Sequence, residues 1–388
     1  MQTTWLFMSV LALSVLMAGC VPEIVPPTPN PIVLGALYSL TGGQAALDVP
    51  SSRGAQLAVD EINRAGGVLS RPVQLVVEDA ESAPEVVANR SADILNRYPS
   101  TTALLGLSDT DLVLAAAPVA ASRGRLFLTS GATSPKLPAQ VPDYLFLACF
   151  GDNVQAAAGA EWAYDDLSAL TVSVLFNSRS TYTQLLQGYF RTRFGELGGQ
   201  VLSVASYTTG EDLDTPIDEL QPADLIYLAA TPDDVLDVVL ALRAAGHDVP
   251  ILGGDGFDAA DLWQEHPEIS DVFFTTHAYL GADNDDPKVV AFRQAYTQTY
   301  PDATPDAFAA LGYDAARLLL TAISHAGSTD PEAVRNALAS IREFDAVTGQ
   351  LGYQADSRIP VKSVTLLGVE GGAYKLVKQL MPDQTPAP

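Results

Sequence analysis

From residue 32 onward the hydrophobic pattern changes period again and again, and this alternation limits the fold more than any other feature. Residues 32–38 (IVLGALY) are a continuous apolar run, as a strand buried on both faces requires. A Thr-Gly-Gly turn follows at 41–43. Residues 51–66 (SSRGAQLAVDEINRAG) then carry apolar side chains at helical spacing, with a Ser start and a Gly-Gly stop. The same reading predicts a strand over 73–78, a helix over 84–97 behind Ser82, a strand over 103–106, a helix over 111–124 and a strand over 126–130. The pattern restarts with a strand over 170–176, a helix over 183–197 and strands over 200–207 and 225–230. A helix over 232–246 and strands over 251–254 and 272–278 complete it. Two βαβα runs with crossovers this short imply an α/β protein of two doubly wound lobes, each with a mostly parallel sheet covered by helices on both faces. Helices over 287–300 and 305–327 come next. Glu370-Gly371-Gly372 then reads as a hairpin turn between SVTLLGV and AYKLVK. Residues 381–388 are polar and Pro-bearing, the expectation being a disordered tail.

Ahead of this body lies a different kind of segment. Residues 5–19 (WLFMSVLALSVLMAG) carry no charge and are short for a membrane-spanning helix, but suit the apolar region of an export signal. The run ends in Met17-Ala18-Gly19-Cys20, which resembles the lipobox of bacterial lipoproteins, although no Lys or Arg precedes it. In that family the cysteine is acylated and becomes the new N-terminus. An ordinary signal peptide followed by a structural cysteine is the alternative. Residues 21–31 (VPEIVPPTPNP) are dense in proline, which makes an extended, semi-rigid spacer. The expected organisation is a signal peptide over 1–19, a lipidated Cys20 with its tether over 20–31, and an exported protein held by lipid at the outer face of the cell membrane or in the periplasm. Cys149 is then left unpaired in an apolar stretch, as a buried and inert thiol.

The 388 residues hold 21 Lys and Arg against 46 Asp and Glu, a net charge of −25, so a nucleic-acid partner is excluded on electrostatic grounds. Two cysteines make no disulfide scaffold. Enzyme signatures are missing as well. No G-x-G-x-x-G follows the first strand, and neither a phosphate-binding loop nor a G-x-S-x-G elbow occurs. The four histidines, at 247, 266, 277 and 325, share no metal-ligand spacing, and the acidic run 283–286 lacks the remainder of a calcium loop. The expectation is a non-enzyme with no cofactor and no metal.

Open α/β sheets bind ligands beyond the carboxyl ends of their strands, and two such lobes place the site in the cleft between them. The loops at issue are 40–47, 107–110, 130–133, 177–182, 230–233 and 254–257. Small hydroxyls cluster in two of them: Ser108 and Thr110 open a helix, and Ser130-Gly131-Ala132-Thr133 ends the next strand. Backbone N–H groups and hydroxyls so placed suit a carboxylate, and plain N-capping accounts for the same residues. In the second lobe Gly253-Gly254-Asp255-Gly256 lets the backbone bend so that the acid faces the cleft. One carboxylate there suits an ammonium group, the alternative being a turn Asp bonded to its own backbone. An anion pocket opposite a single acid is what an α-amino acid zwitterion requires.

Several stretches, in order, resemble the periplasmic-binding-protein type 1 family. They are ALYSLTG at 36–42, RGAQLAVDEINRAGGV at 53–68, VQLVVED at 73–79, GLSDTD at 106–111, FLTSGATSPKL at 127–137 and FDAVTGQLGY at 344–353. More closely, they are similar to the substrate-binding proteins of branched-chain and hydrophobic amino-acid ABC transporters. The resemblance implies three interlobe crossovers, a first lobe over 32–151 plus 279–347, and a second over 152–278 plus 348–380. It implies that Thr110 and the Gly131, Ala132 and Thr133 loop hold the ligand carboxylate, that Asp255 holds the ammonium and that Tyr182 closes over the ligand. Leu47 then falls at a side-chain contact, and Thr231 lies where some relatives have an aromatic wall. Leu147 stands where many members have Arg, although Asp152 is present. The implied function is an ABC importer's receptor, a monomer that takes an aliphatic or other apolar amino acid and docks on permease and ATPase subunits. The alternatives are a sensor that signals through a separate partner, or a binder of another carboxylate.

Overall fold

The computed structural model describes residues 30–209, 212–259, 262–354 and 357–388. Cys20 and the signal segment lie outside the described residues. The first sheet holds β1 (Ile32–Tyr38), β2 (Val73–Asp79), β3 (Ala103–Gly106), β4 (Leu126–Thr129) and β5 (Leu145–Leu147), all parallel, in the order β2-β1-β3-β4-β5. β1 is buried along its whole length, as its unbroken apolar run requires. Between these strands run α1 (Ala45–Arg64), α2 (Pro84–Arg97), α3 (Thr110–Ser122) and the single turn α4 (Leu137–Gln140).

The chain then enters the second lobe through α5 (Asp152–Glu161), which continues as a π-helical turn over Trp162–Asp166. β6 (Thr171–Asn177), α6 (Thr181–Glu196), β7 (Gln200–Tyr207), α7 (Asp214–Asp218) and β8 (Leu225–Ala229) follow. After α8 (Val235–Ala244) come β9 (Ile251–Gly253), a 3₁₀ turn at Asp255–Phe257 and β10 (Val272–Thr276). α9 (Pro287–Thr299), α10 (Ala307–Ala326) and α11 (Pro331–Ala339) return to the first lobe. There β11 (Phe344–Ala346), β12 (Gly349–Tyr353) and β13 (Pro360–Val361) make a small antiparallel sheet. The hairpin of β14 (Val364–Glu370) and β15 (Ala373–Leu380) completes the second sheet, in the order β15-β14-β10-β9-β8-β6-β7.

Three of the differences from the sequence expectation bear on the lobes and the site. α1 begins at Ala45 rather than at 51 because Pro50 is accommodated inside the helix, so Leu47 sits on a helix and not in a loop. Leu351 and Tyr353 belong to the first lobe's core, and the Leu147 N–H donates to the Arg358 carbonyl. The third crossover therefore follows β13 instead of falling at 347–348. The tail over 381–388 is tied down rather than disordered. The Asp383 and Gln384 N–H groups donate to the Glu161 carboxylate, itself 2.6 Å from Arg193, and Asn153 donates to the Pro386 carbonyl.

α10 is long and apolar enough to cross a membrane, but 78% of its most apolar stretch is buried inside the first lobe. It meets α1 at two glycines. A Cβ on Gly54 would stand 1.9 Å from the Ala309 carbonyl oxygen, and one on Gly312 would stand 1.9 Å from that of Ser51. The partner atoms are helix backbone and cannot turn aside. Gly312→Ala is therefore expected to destabilise the protein by about 1–3 kcal/mol, the usual cost of overpacking. Equilibrium urea denaturation measures this, and an unchanged midpoint would contradict the packing described.

Candidate functional site

β3 ends at Gly106, with φ +119° and no room for a Cβ against the Leu37 carbonyl, and Leu107 continues in the left-handed region. The chain thereby turns sharply into α3, whose N-cap Asp109 accepts the Leu112 N–H at 3.0 Å. The neighbouring loop after β4 is pinned to this turn. Thr129 Oγ1 donates to the Leu107 carbonyl at 2.8 Å and accepts the Ala132 N–H at 3.0 Å, while the Gly131 N–H donates to the same carbonyl at 3.2 Å. The N–H groups of Gly131 and Ala132 are thus committed within the loop and shape it. Thr110 is buried, and its hydroxyl has no partner among the described residues.

The two lobes meet around a small cavity of about 10 Å³. Gln44, Leu47, Ser108, Asp109 and Thr133 line it from the first lobe, and Tyr182, Thr231, Pro232, Asp255 and Gly256 from the second. Five of the sequence-selected residues, Leu47, Thr133, Tyr182, Thr231 and Asp255, therefore come together across the cleft. Thr110, the first residue of α3, and Gly131 and Ala132, in the loop after β4, do not line it. No Lys or Arg lines this cavity among the described residues. A larger, open cavity of about 780 Å³ forms the mouth, where Asp109, Asp111, Asp233, Asp234 and Asp237 face Arg179. At that mouth the lobes touch directly: Asp111 accepts the Thr181 hydroxyl at 2.6 Å and its N–H at 3.2 Å.

Asp255 is 3% exposed and its carboxylate is held from three sides. Tyr182 donates its hydroxyl to Oδ1 at 2.8 Å and accepts the Gly256 N–H at 3.2 Å. Gln155 Nε2 donates to the same oxygen at 2.7 Å and to Asp152 Oδ1 at 3.0 Å. Its own Oε1 takes the Asp255 N–H and the Thr275 hydroxyl. His277 Nε2 stands 3.0 Å from Oδ2. Burial depresses the His277 pKa against the pull of Asp255, so the ring is neutral, and its Nε2 carries the proton because a carboxylate only accepts.

Asp152 opens α5 beside the Thr133 hydroxyl, fully buried, with Oδ2 unpartnered among the described residues. Burial first and the Asp255 charge second push its pKa up to about 8. Gln155 and His277 were missed at the level of sequence. All the α5 residues except Val154 are buried, so Gln155 carries no amphipathic signal. His277 follows a strand as the inspected loops do, but that strand leads into a crossover.

The chain belongs to the periplasmic binding protein family, whose model matches residues 31–373. It is 25% identical over 346 residues to the Leu/Ile/Val-binding protein BraC3 of Rhizobium johnstonii, covering 88% of this chain and 92% of that one. Its fold is similar to that of the branched-chain amino acid transporter substrate binding protein LivJ from Streptococcus pneumoniae, solved in complex with isoleucine. The TM-score is 0.82 at 26% identity, covering 90% of this chain and 99% of LivJ. This is the type 1 architecture expected from the sequence, two lobes with mostly parallel sheets. A solute binding protein of an ABC transporter from Rhodopseudomonas palustris, in complex with 3,4-dihydroxybenzoic acid, shares the fold at TM-score 0.79 and 17% identity, covering 92% of this chain and 98% of that one.

The buried acids set the response to pH. Asp48 and Asp258 are pushed up to about 7, Asp109 to about 6 and Asp152 to about 8, with burial the first cause in each. An acid raised on folding binds more protons in the native state than in the unfolded one. Its contribution is therefore complete below the unfolded pKa and is lost as pH rises through the native value. The ligand-free protein is expected to melt at a lower temperature at pH 8 than at pH 5. Asp152→Asn, which mimics the protonated acid, is expected to recover part of the loss at pH 8 and change little at pH 5. Calorimetric melts at both values measure this, and an Asp152→Asn variant with the wild-type pH slope would contradict the burial of that charge.

Proposed function

We propose that this protein is the extracytoplasmic receptor of an ABC importer and closes its lobes over a small zwitterion, an aliphatic α-amino acid of the leucine, isoleucine and valine class. The observation that carries this reading is the Asp255 carboxylate on a cavity lined, among the described residues, by no Lys or Arg. A ligand that brings an ammonium group supplies the missing positive charge. The Thr133 and Thr110 hydroxyls opposite suit its carboxylate, and Leu47 and Pro232 its aliphatic side chain. Tyr182, already bonded to Asp255, comes from the second lobe, so a ligand that bridges to Thr133 favours the closed state. BraC3 is named for binding leucine, isoleucine and valine, and LivJ was solved with isoleucine, which supports the same class. A simple aromatic carboxylate would instead set an anion against Asp255 and Asp109 with no cation to meet it. Permease and ATPase subunits are the partners this reading requires. Lipid on Cys20 would hold the receptor at the membrane.

Thermal-shift and calorimetric titration with L-leucine, L-isoleucine, L-valine and benzoate test the reading. Stabilisation by at least one of the three amino acids and none by benzoate is expected, whereas the reverse would overturn it. In the binding protein, Asp255→Asn is expected to weaken the amino acid by about 2–5 kcal/mol, as truncation of a buried charge partner does. Thr110→Val is expected to cost less, about 1.5–3 kcal/mol for one hydrogen bond to a charged group. Wild-type affinity in the Asp255→Asn variant would remove Asp255 from the site.

A further inference from the structure

We propose that His277 is the positioning residue for the Asp255 carboxylate, holding its Oδ2 so that the acid presents a fixed face to the ligand's ammonium group. The proposal rests on the functional reading above for the ligand. The geometry of the pair stands by itself. Asp255 sits in a one-turn 3₁₀ helix after β9, a short segment with little stiffness of its own. Its Oδ1 is held by Tyr182 and Gln155. Among the described residues the His277 Nε2–H is the one donor to Oδ2, so it holds the second oxygen of a carboxylate carried on that short turn.

The imidazole is itself held hard. It is buried, stacks on Phe150 with ring centroids 4.0 Å apart and planes 22° apart, and takes the edge of Phe308 at 5.8 Å. Phe150 lies on the first crossover, His277 on the second, and Phe308 on α10 of the first lobe. The acid of the second lobe is therefore oriented by a ring clamped against the crossovers and the first lobe. Nδ1 has no partner among the described residues, so the Asp255 bond is the ring's one polar tie there. Asp255, Asp152, Asp258, Tyr182, Tyr227, Lys362 and the Cys149 thiol are titratable groups around this cluster. A neutral ring adds no positive charge that would compete with the ammonium for the acid.

His277→Phe keeps a ring between Phe150 and Phe308 and deletes the donor, while His277→Gln keeps an N–H donor and loses the ring. Each is combined with Asp255→Asn, and affinity for L-leucine, L-isoleucine and L-valine is measured by calorimetry alongside the ligand-free melting temperature. His277→Phe is expected to weaken binding about tenfold in the wild-type background and to add nothing in the Asp255→Asn background, the mark of a residue acting through another. His277→Gln is expected to retain affinity within about threefold of wild type. Unchanged affinity in His277→Phe, or an equal loss in both backgrounds, would overturn the proposal. If the wild-type protein binds none of the three amino acids, the functional reading fails by itself. The wild type, the two single variants Asp255→Asn and His277→Phe, and their double then decide the pairing by melting temperature: non-additive changes support it and additive ones overturn it.

Discussion

A buried carboxylate on a cavity that no described Lys or Arg lines is the constraint on which the rest of the cleft depends. Asp255 cannot be left in an apolar interior without donors, because an unpaired buried charge is costly. The protein satisfies it with neutral groups drawn from separate parts of the chain: Tyr182 from α6, Gln155 from α5 and His277 from the end of β10. Each donor requires its own element to be in place. The second lobe's cleft face is in this sense assembled around one acid. Neutral donors orient the carboxylate while leaving its charge uncompensated, which is the condition for attracting a cation into the cavity.

The architecture explains how such distant segments meet. Parallel strands deliver their carboxyl ends to one edge of each sheet, and the loops after β1, β3 and β4 face those after β6, β8 and β9 across the cleft. Thr181 meets Asp111 across the cleft beside the small cavity and the acidic mouth. The crossovers are more than tethers. Phe150 and His277, on successive crossovers, stack on each other, so the strap between the lobes is packed against the residue that orients Asp255.

Much of this was legible before any coordinates. The switch from apolar runs to helical spacing located both sheets, because a parallel strand buried on two faces leaves an unmistakable run, as in β1. Glycines around an acid marked Asp255, and hydroxyls at strand ends marked Thr110 and Thr133. Other features were hidden for identifiable reasons. Pro50 masks the first turn of α1, since a proline usually ends a helix. The N–H groups of Gly131 and Ala132 are consumed by Leu107 and Thr129, a bonding choice that no spacing announces. Gln155 lies on a helix buried nearly all round, and His277 is a single residue whose partner, Asp255, is fixed only by tertiary structure. The tail over 381–388 reads as free, yet its backbone bonds to Glu161.

The most direct test of the central claim is a crystal structure of the protein grown with L-leucine, L-isoleucine and L-valine. The account predicts one of these in the cleft, with its amino nitrogen about 3 Å from an Asp255 carboxylate oxygen and its own carboxylate turned toward Thr110 and Thr133. An amino acid bound with its ammonium group away from Asp255, or a cleft that closes without any of the three, would contradict it.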